Sequence, residues 1–298
     1  MIISQQDREQ ARALVAGRLG LDFRGRRMRN LERAIAGAAL GDGVLPLGAY
    51  LARLAQLADE SPEWRRLASD LTVCETYFFR EHPCFEALAE SILPPLIERR
   101  RAGGFPSLRL WSAGCSSGEE AYSLAILVDR LLPDRSDWAI TILGTDVDVA
   151  ALDRARRGVY REWSFRTLPA GMRERYFRAD GDAFELDRGI KEMVTFEPLN
   201  LAADTYPALV SNTTSFDVIL CRNVLMYLTP EAQQRVLARL QRALAPDGWL
   251  GVGLIEATVD RSGRLVAAGV APGVFFRVEA TPSSALRASD VVVANGAW

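Results

Sequence analysis

The run L-R-L-W-S-A-G-C-S-S-G-E-E-A-Y-S, from Leu108 to Ser123, decides the fold class. Leu108 to Ala113 reads as a buried strand, Gly114 to Gly118 as a tight loop, and the acids after it as the start of a helix. The two glycines let the backbone turn sharply and approach a ligand, and Glu119 and Glu120 sit at the positive end of the helix dipole. This strand-loop-helix unit is the cofactor element of a doubly wound α/β sheet, although a tight turn without a ligand reads the same way. The loop has no G-x-x-x-x-G-K-[ST] lysine for a triphosphate. Its acids also stand where a dinucleotide pyrophosphate needs bare N–H groups. A cofactor with adenosine at one end and a cationic, unphosphorylated group at the other fits better, and S-adenosylmethionine is such a molecule.

Downstream, a helix from about Glu120 to Leu132 leads to a second buried strand, Ala139 to Gly144, which ends in Thr145-Asp146-Val147-Asp148. A carboxylate at the tip of the second strand of such a sheet accepts hydrogen bonds from both ribose hydroxyls. Asp146 is the candidate for that task and Asp148 for capping the helix that follows, with a capping role for both as the alternative.

Composition agrees with a globular α/β chain. The 298 residues, 49% of them hydrophobic, can build one α/β domain and an accessory domain. A net charge of -2 argues against a surface built for nucleic acid. No apolar run of membrane-spanning length and no signal-peptide pattern is evident, so the expectation is a soluble, cytoplasmic protein, a monomer without direct membrane insertion. Cys74, Cys84, Cys115 and Cys221 share no C-x-x-C spacing, and with His82 the only histidine no metal set is expected. The four read as reduced structural thiols.

Before the sheet the pattern is helical: Asp7 to Leu19, about Gly25 to Leu40, Leu47 to Ala58, and Glu63 to Leu71. The expected organisation is a helical domain over 1–75, a connecting segment and helix over 76–105, and an α/β domain over 106–280. A small antiparallel subdomain is expected near 173–194, with Asp180-Gly181 and Arg188-Gly189 as turn signals. The core resumes with Val194 to Glu197 and Phe216 to Cys221. Residues 281–298 read as a flexible tail or linker. Arg24, Arg26, Arg27, Arg29 and Arg33 form a basic run in which Arg26, Arg29 and Arg33 share one helical face. That stripe is either a docking face for an acidic partner or a solvated surface; it lacks the interleaved aromatics of a nucleic-acid site.

Several ordered motifs carry a family resemblance: L-T-V-C-E-T-Y-F-F-R-E (Leu71 to Glu81), S-A-G-C-S-S-G-E-E-A-Y-S, G-T-D-V-D, A-R-R-G-V-Y (Ala155 to Tyr160), P-L-N-L (Pro198 to Leu201) and C-R-N-V-L-M-Y-L (Cys221 to Leu228). The chain resembles the CheR family, methyltransferases that esterify glutamate side chains of chemotaxis receptors, from the N-terminal helices to about Val278. The resemblance implies an S-adenosylmethionine-dependent methyltransferase sheet, doubly wound, with an N-terminal helical domain and an inserted antiparallel β-subdomain. It implies S-adenosylhomocysteine as product and a chemoreceptor coiled coil as partner.

By the same resemblance, Thr76, Arg80, Glu120, Asp146, Asn200, Leu201, Arg222 and Asn223 surround the cofactor. Tyr227 matches the aromatic residue near the transferred methyl. On chemical grounds Arg80, with Tyr227, is the candidate for orienting the acceptor carboxylate, and the stripe Arg26, Arg29 and Arg33 is the candidate for docking the acidic receptor helices. Cys74 replaces the Asn or His of many relatives. Two departures stand out. Gly253-Leu254-Ile255-Glu256 replaces a common G-H-S-E, and the compact segment between Tyr176 and Val194 lacks the glycine-rich turn tied in the family to a receptor C-terminal pentapeptide. Catalysis without pentapeptide tethering is therefore expected. The alternatives are a methyltransferase for another acceptor and a catalytically silent cofactor-binding module.

Overall fold

The structure, a computed structural model, describes residues 3–41, 46–104, 106–256, 265–267 and 275–278. The tail expected over 281–298 lies outside the described residues.

Four helices open the chain. α1 (Gln5–Leu19) starts where Ser4 Oγ accepts the Asp7 N–H and stops at Gly20, whose φ of 69° turns the chain out of the helix. A 3-10 turn, Gly25–Arg27, then leads into α2 (Met28–Gly41), so the single helix expected from Gly25 is split. Gly25 itself takes a φ of 57°, outside the helical region. α3 (Leu47–Gln56) and α4 (Pro62–Leu71) complete the group, the latter with Ser61 as N-cap and Pro62 in its first turn. α5 (His82–Ala87) and α6 (Leu93–Ala102) are joined by a π-helical turn, Leu88–Ile92.

The central unit then runs β1 (Ser107–Ala113), α7 (Glu119–Leu131), β2 (Ala139–Asp146) and α8 (Val149–Arg157). β3 (Val159–Tyr160), α9 (Met172–Tyr176), β4 (Phe177–Asp180), β5 (Ala183–Leu186) and α10 (Arg188–Lys191) follow. The chain returns to the sheet with β6 (Val194–Pro198), β7 (Phe216–Cys221), α11 (Pro230–Ala243), β8 (Leu244–Val252), β9 (Leu265–Ala267) and β10 (Phe275–Val278).

The main sheet has the order β6-β2-β1-β7-β8-β10-β9. The first five strands are parallel and β10 pairs antiparallel with β8 and β9. Chain order moves outward from β1 to β2 and β6 on one side and to β7 and β8 on the other. Between β1 and β7 lies the switch point, where the loops diverge and leave a crevice.

The small sheet, β3-β5-β4, is antiparallel. Two details differ from the sequence expectation. Val159–Tyr160 joins it from before the expected range. Arg188-Gly189 is the first turn of α10 rather than a β-turn, because Asp187 caps it by accepting the Gly189 and Ile190 N–H groups.

Alternation along the strands sends side chains to two cores. Leu108, Leu110, Ile142, Val218 and Leu220 pack with α5 to α7 and the small sheet. Trp111, Ala113, Leu143, Ile219 and Leu250 face the other way, into one continuous cluster with α11 and the N-terminal helices, including Val15, Ile35, Leu54 and Trp64. The helices before the sheet thus share a core with it, which brings the end of α1 and the chain just after α4 to the crevice.

Candidate active site

The loop after β1 is shaped by steric necessity. Gly114 has a φ of 82°, and a Cβ there would lie 2.4 Å from Val224 Cγ2. Gly118, at φ 92°, would drive one to 2.7 Å from the Ala155 Cβ. Gly114 and Cys115 both donate to the Thr145 carbonyl, at 2.7 and 2.9 Å, locking the loop to the end of β2.

Asp146 lies beside it. Oδ2 accepts the Ser116 N–H at 2.7 Å and Oδ1 the Asp148 N–H at 2.9 Å. Burial pushes this carboxyl above the ordinary carboxylate range, and those two donors oppose the rise. Asp148 caps α8 through the Ala151 N–H and also accepts from Ser69 Oγ and from Cys74 Sγ, the latter at 3.1 Å. Burial, then the contact with Asp148, pushes the Cys74 thiol up to about 11, so it stays protonated and donates.

The far wall is an ionic triad. Arg222, its side chain fully buried, pairs with Glu120 at 3.0 Å and Glu81 at 3.1 Å. Its Nη2 also donates to the Arg80 carbonyl at 2.7 Å. Glu120 further accepts from Ser112 Oγ at 2.8 Å. One cation serves two acids with opposite outcomes. Burial of Glu120 outweighs Arg222 and raises its pKa, whereas at the more exposed Glu81 burial is overcome by Arg222 and the pKa is lowered.

Asn223, at a φ of 59°, donates from its side chain to Glu81 at 3.2 Å. Its turn is held by Glu256, 2% exposed, whose carboxylate accepts the N–H groups of Asn223 (2.8 Å), Gly253 (2.9 Å) and Met226 (3.0 Å). The G-L-I-E sequence therefore keeps the acid that clasps the two turns.

Tyr227 closes the 3-10 turn Leu225–Tyr227. Its carbonyl accepts the Asp22 N–H at 2.8 Å and Arg27 Nη1 at 3.3 Å, and the Arg27 guanidinium sits 4.9 Å from the ring centres of both Tyr227 and Phe23. Asn200 donates to the Arg18 carbonyl at 2.7 Å and accepts from the Ala202 N–H, so its amide ties α1 to the loop after β6.

Thr76, Arg80, Glu120, Asp146, Asn200, Leu201, Arg222, Asn223 and Tyr227 all line one cavity of about 1020 Å³, counted to its open mouth. Arg26, Arg29 and Arg33 do not; they are exposed, and Arg33 donates to Asn30 Oδ1 at 2.7 Å. Sequence reasoning missed Arg27, which lines the cavity although it lies off the i, i+3 phase of its neighbours. It also missed Glu81, whose only signal is adjacency to Arg80, and Ser116. The Ser116 hydroxyl is buried at the cavity wall beside the Cys74 thiol.

These groups fit a nucleoside cofactor. The Ser116 hydroxyl and the strand-tip Asp146 carboxylate offer polar groups at one end, and Glu120 offers charge to a cation at the other. A five-strand parallel core with a ligand crevice at its switch point, acid rather than phosphate-binding lysine in its loop, defines the methyltransferase class.

Residues 74–269 match the family described as CheR methyltransferase, SAM binding domain, and the chain belongs to that family. It is 38% identical over 196 residues to a probable chemotaxis protein methyltransferase of Rhizobium etli, covering 64% of this chain and 70% of that one. Against the chemotaxis protein methyltransferase of Escherichia coli it is 37% identical over 219 residues, covering 72% and 71%. The probable biofilm formation methyltransferase WspC of Pseudomonas putida is 33% identical over 284 residues, 94% of this chain, which spans 64% of that protein.

Proposed function

We propose that this protein transfers a methyl group from S-adenosylmethionine to glutamate carboxylates on the cytoplasmic coiled coil of a chemoreceptor. The observation that carries this reading is the convergence of Asp146, Glu120, Arg80, Arg27 and Tyr227 on one cavity. In this reading Asp146 holds the ribose hydroxyls, Glu120 faces the cationic methionine end, Ser116 supplies a further donor, and Asn200, Leu201, Thr76, Arg222 and Asn223 frame the rest.

The bound cofactor supplies an electrophilic sulfonium methyl. An acceptor glutamate, with an ordinary pKa of about 4.3, is already a nucleophile at neutral pH, so no general base is required. The protein's work is alignment, which lowers the entropic part of the barrier by several kcal/mol, roughly, when reacting atoms are held in line. Arg80, Arg27 and the Tyr227 hydroxyl orient the carboxylate by charge and hydrogen bonding. Tight pairing would oppose the reaction, because the anion's charge is neutralised as the ester forms. Here Arg80 donates to the Glu75 carbonyl and Arg27 is held on two rings, so neither is fully committed to a bound anion.

Arg26, Arg29 and Arg33 then meet the acidic face of the receptor helix. Recognition proceeds without a receptor C-terminal pentapeptide: the edge strands of the small sheet, β3 and β4, are two and four residues long, with Gly181 the only glycine in the β4–β5 turn. Transfer of labelled methyl to a receptor fragment, released as methanol by base, tests the reaction. Absence of base-labile label overturns it. Micromolar binding of an isolated pentapeptide, seen by calorimetry, overturns the untethered mode. The match of 94% of the chain to a biofilm formation methyltransferase favours a second reading of the partner, a receptor that governs biofilm formation. Assaying both receptor classes separates the two.

A further inference from the structure

We propose that the acceptor segment also seats an apolar side chain on a rim formed by Met226, Leu254 and Ile255, so that an acceptor glutamate is selected by an apolar residue nearby as well as by its acidic neighbours. The inference rests on the reading that the acceptor is a protein carboxylate.

Met226, Leu254 and Ile255 are 44%, 65% and 76% exposed. They stand on two adjoining 3-10 turns, Leu225–Tyr227 and Leu254–Glu256, which the buried Glu256 carboxylate clasps through the backbone of Met226, Asn223 and Gly253. A clustered apolar surface in fixed turns keeps its hydration cost until something covers it. The three do not line the cavity themselves, but Met226 adjoins Tyr227 in sequence and shares the Glu256 clasp with Asn223, and both Tyr227 and Asn223 line it, which sets the rim next to the cavity.

A second segment held against the Tyr227 turn has the other chemistry. The Thr229 N–H donates to the Gly20 carbonyl, Leu21 bridges Leu228, and the Asp22 N–H donates to the Tyr227 carbonyl. These bonds pin the chain that carries exposed Arg24, Arg26 and Arg29 against the same turn. Tyr227 therefore adjoins both a basic segment and an apolar rim. The occupant that satisfies both is an amphipathic acidic helix, because residues three and four apart lie about 5–6 Å from each other on one helical face. One face presents the acceptor glutamate and further acids to the arginines, and the apolar residue one turn away meets the rim.

The test uses the full-length protein, a chemoreceptor cytoplasmic fragment and labelled S-adenosylmethionine. The double substitution Leu254→Ser, Ile255→Ser should raise KM for the fragment about tenfold with kcat nearly unchanged, the loss expected when an anchoring apolar contact goes. S-adenosylhomocysteine affinity should stay at the wild-type value. The KM defect should persist at high salt, since apolar contacts are not screened, and the pair Leu254→Met, Ile255→Val should restore KM. A KM within twofold of wild type, or a defect that vanishes at high salt, overturns the rim. If the wild-type protein places no base-labile methyl on any receptor fragment, the glutamate reading falls and takes this inference with it. Wild-type transfer with an unaffected double variant removes the rim alone.

Discussion

The floor and the mouth of the cavity are built on opposite principles. At the floor, Arg222 is buried and Asp146 and Glu120 are partly buried, and all three are held by fixed donors or ion pairs within the sheet's own loops. At the mouth, Arg27, Tyr227 and the Arg26-Arg29-Arg33 stripe are half-buried or exposed, and they come from the N-terminal helices and the turn after β7. A floor of this kind favours one cofactor pose, since most of its polar groups already have fixed partners. Under the proposed function, a mouth of screened charges and exposed side chains would act on the choice of protein partner and the rate of encounter, with little effect on the cofactor.

The largest expected effect lies at the floor. Arg222→Met leaves Glu120 and Glu81 without their shared cation, and should cost about 3–5 kcal/mol of unfolding free energy, the range for removing one partner of a buried pair. Denaturant midpoints at unchanged slope measure it, and a loss under about 1 kcal/mol would mean that the triad is not a closed ionic unit. Asp146→Ala should weaken S-adenosylhomocysteine binding by about 1.5–3 kcal/mol, because ribose hydroxyls lose a charged acceptor. Calorimetric affinity within twofold of wild type would dissociate Asp146 from the ribose.

Acid sensitivity sharpens the contrast. Burial raises Glu120 and Asp146, so the folded, unliganded protein keeps their protons where the unfolded chain has already released them. Their contribution to stability is complete below the unfolded carboxyl range and is lost as pH rises through the raised values. A cationic cofactor favours the ionised forms, so its affinity should increase with pH across that same window. Glu120→Gln should flatten the profile, while charge reversal at the mouth should leave it unchanged. Smallest for the cofactor, and confined to the acceptor, is the effect of Arg26→Glu, Arg29→Glu and Arg33→Glu together. Receptor methylation should fall at low salt and recover as salt rises, because exposed charges are screened beyond about 8 Å at physiological ionic strength. Methylation unaltered at low salt would remove the stripe from docking.

Much of the floor was legible in the sequence. Gly114, Gly118, Glu120 and Asp146 belong to segments contiguous with strands whose hydrophobic runs announce them, and short-range geometry does the rest. Asp148 capping α8 followed from local helix chemistry. The mouth was legible only in part. The arginine run was visible, yet helical spacing assigned Arg26, Arg29 and Arg33 to it and passed over Arg27, which a 3-10 turn and the pinning of residues 20–22 to Tyr227 and its neighbours swing into the cavity. Arg188-Gly189, a turn by composition, became a helix because Asp187 accepted two backbone donors.

The sequence by itself determined the parallel sheet, the glycine-hinged loop and the acid at the second strand tip, because each depends on periodicity and backbone freedom within about twenty residues. Only the tertiary structure decided that Arg222 answers both Glu81 and Glu120, 141 and 102 positions away, and that α1 and α4 share a core with the sheet and so wall the cavity. Contacts of that range carry no periodic signal along the chain. They are selected when two apolar faces bury each other and the charges between them must find partners before water is excluded.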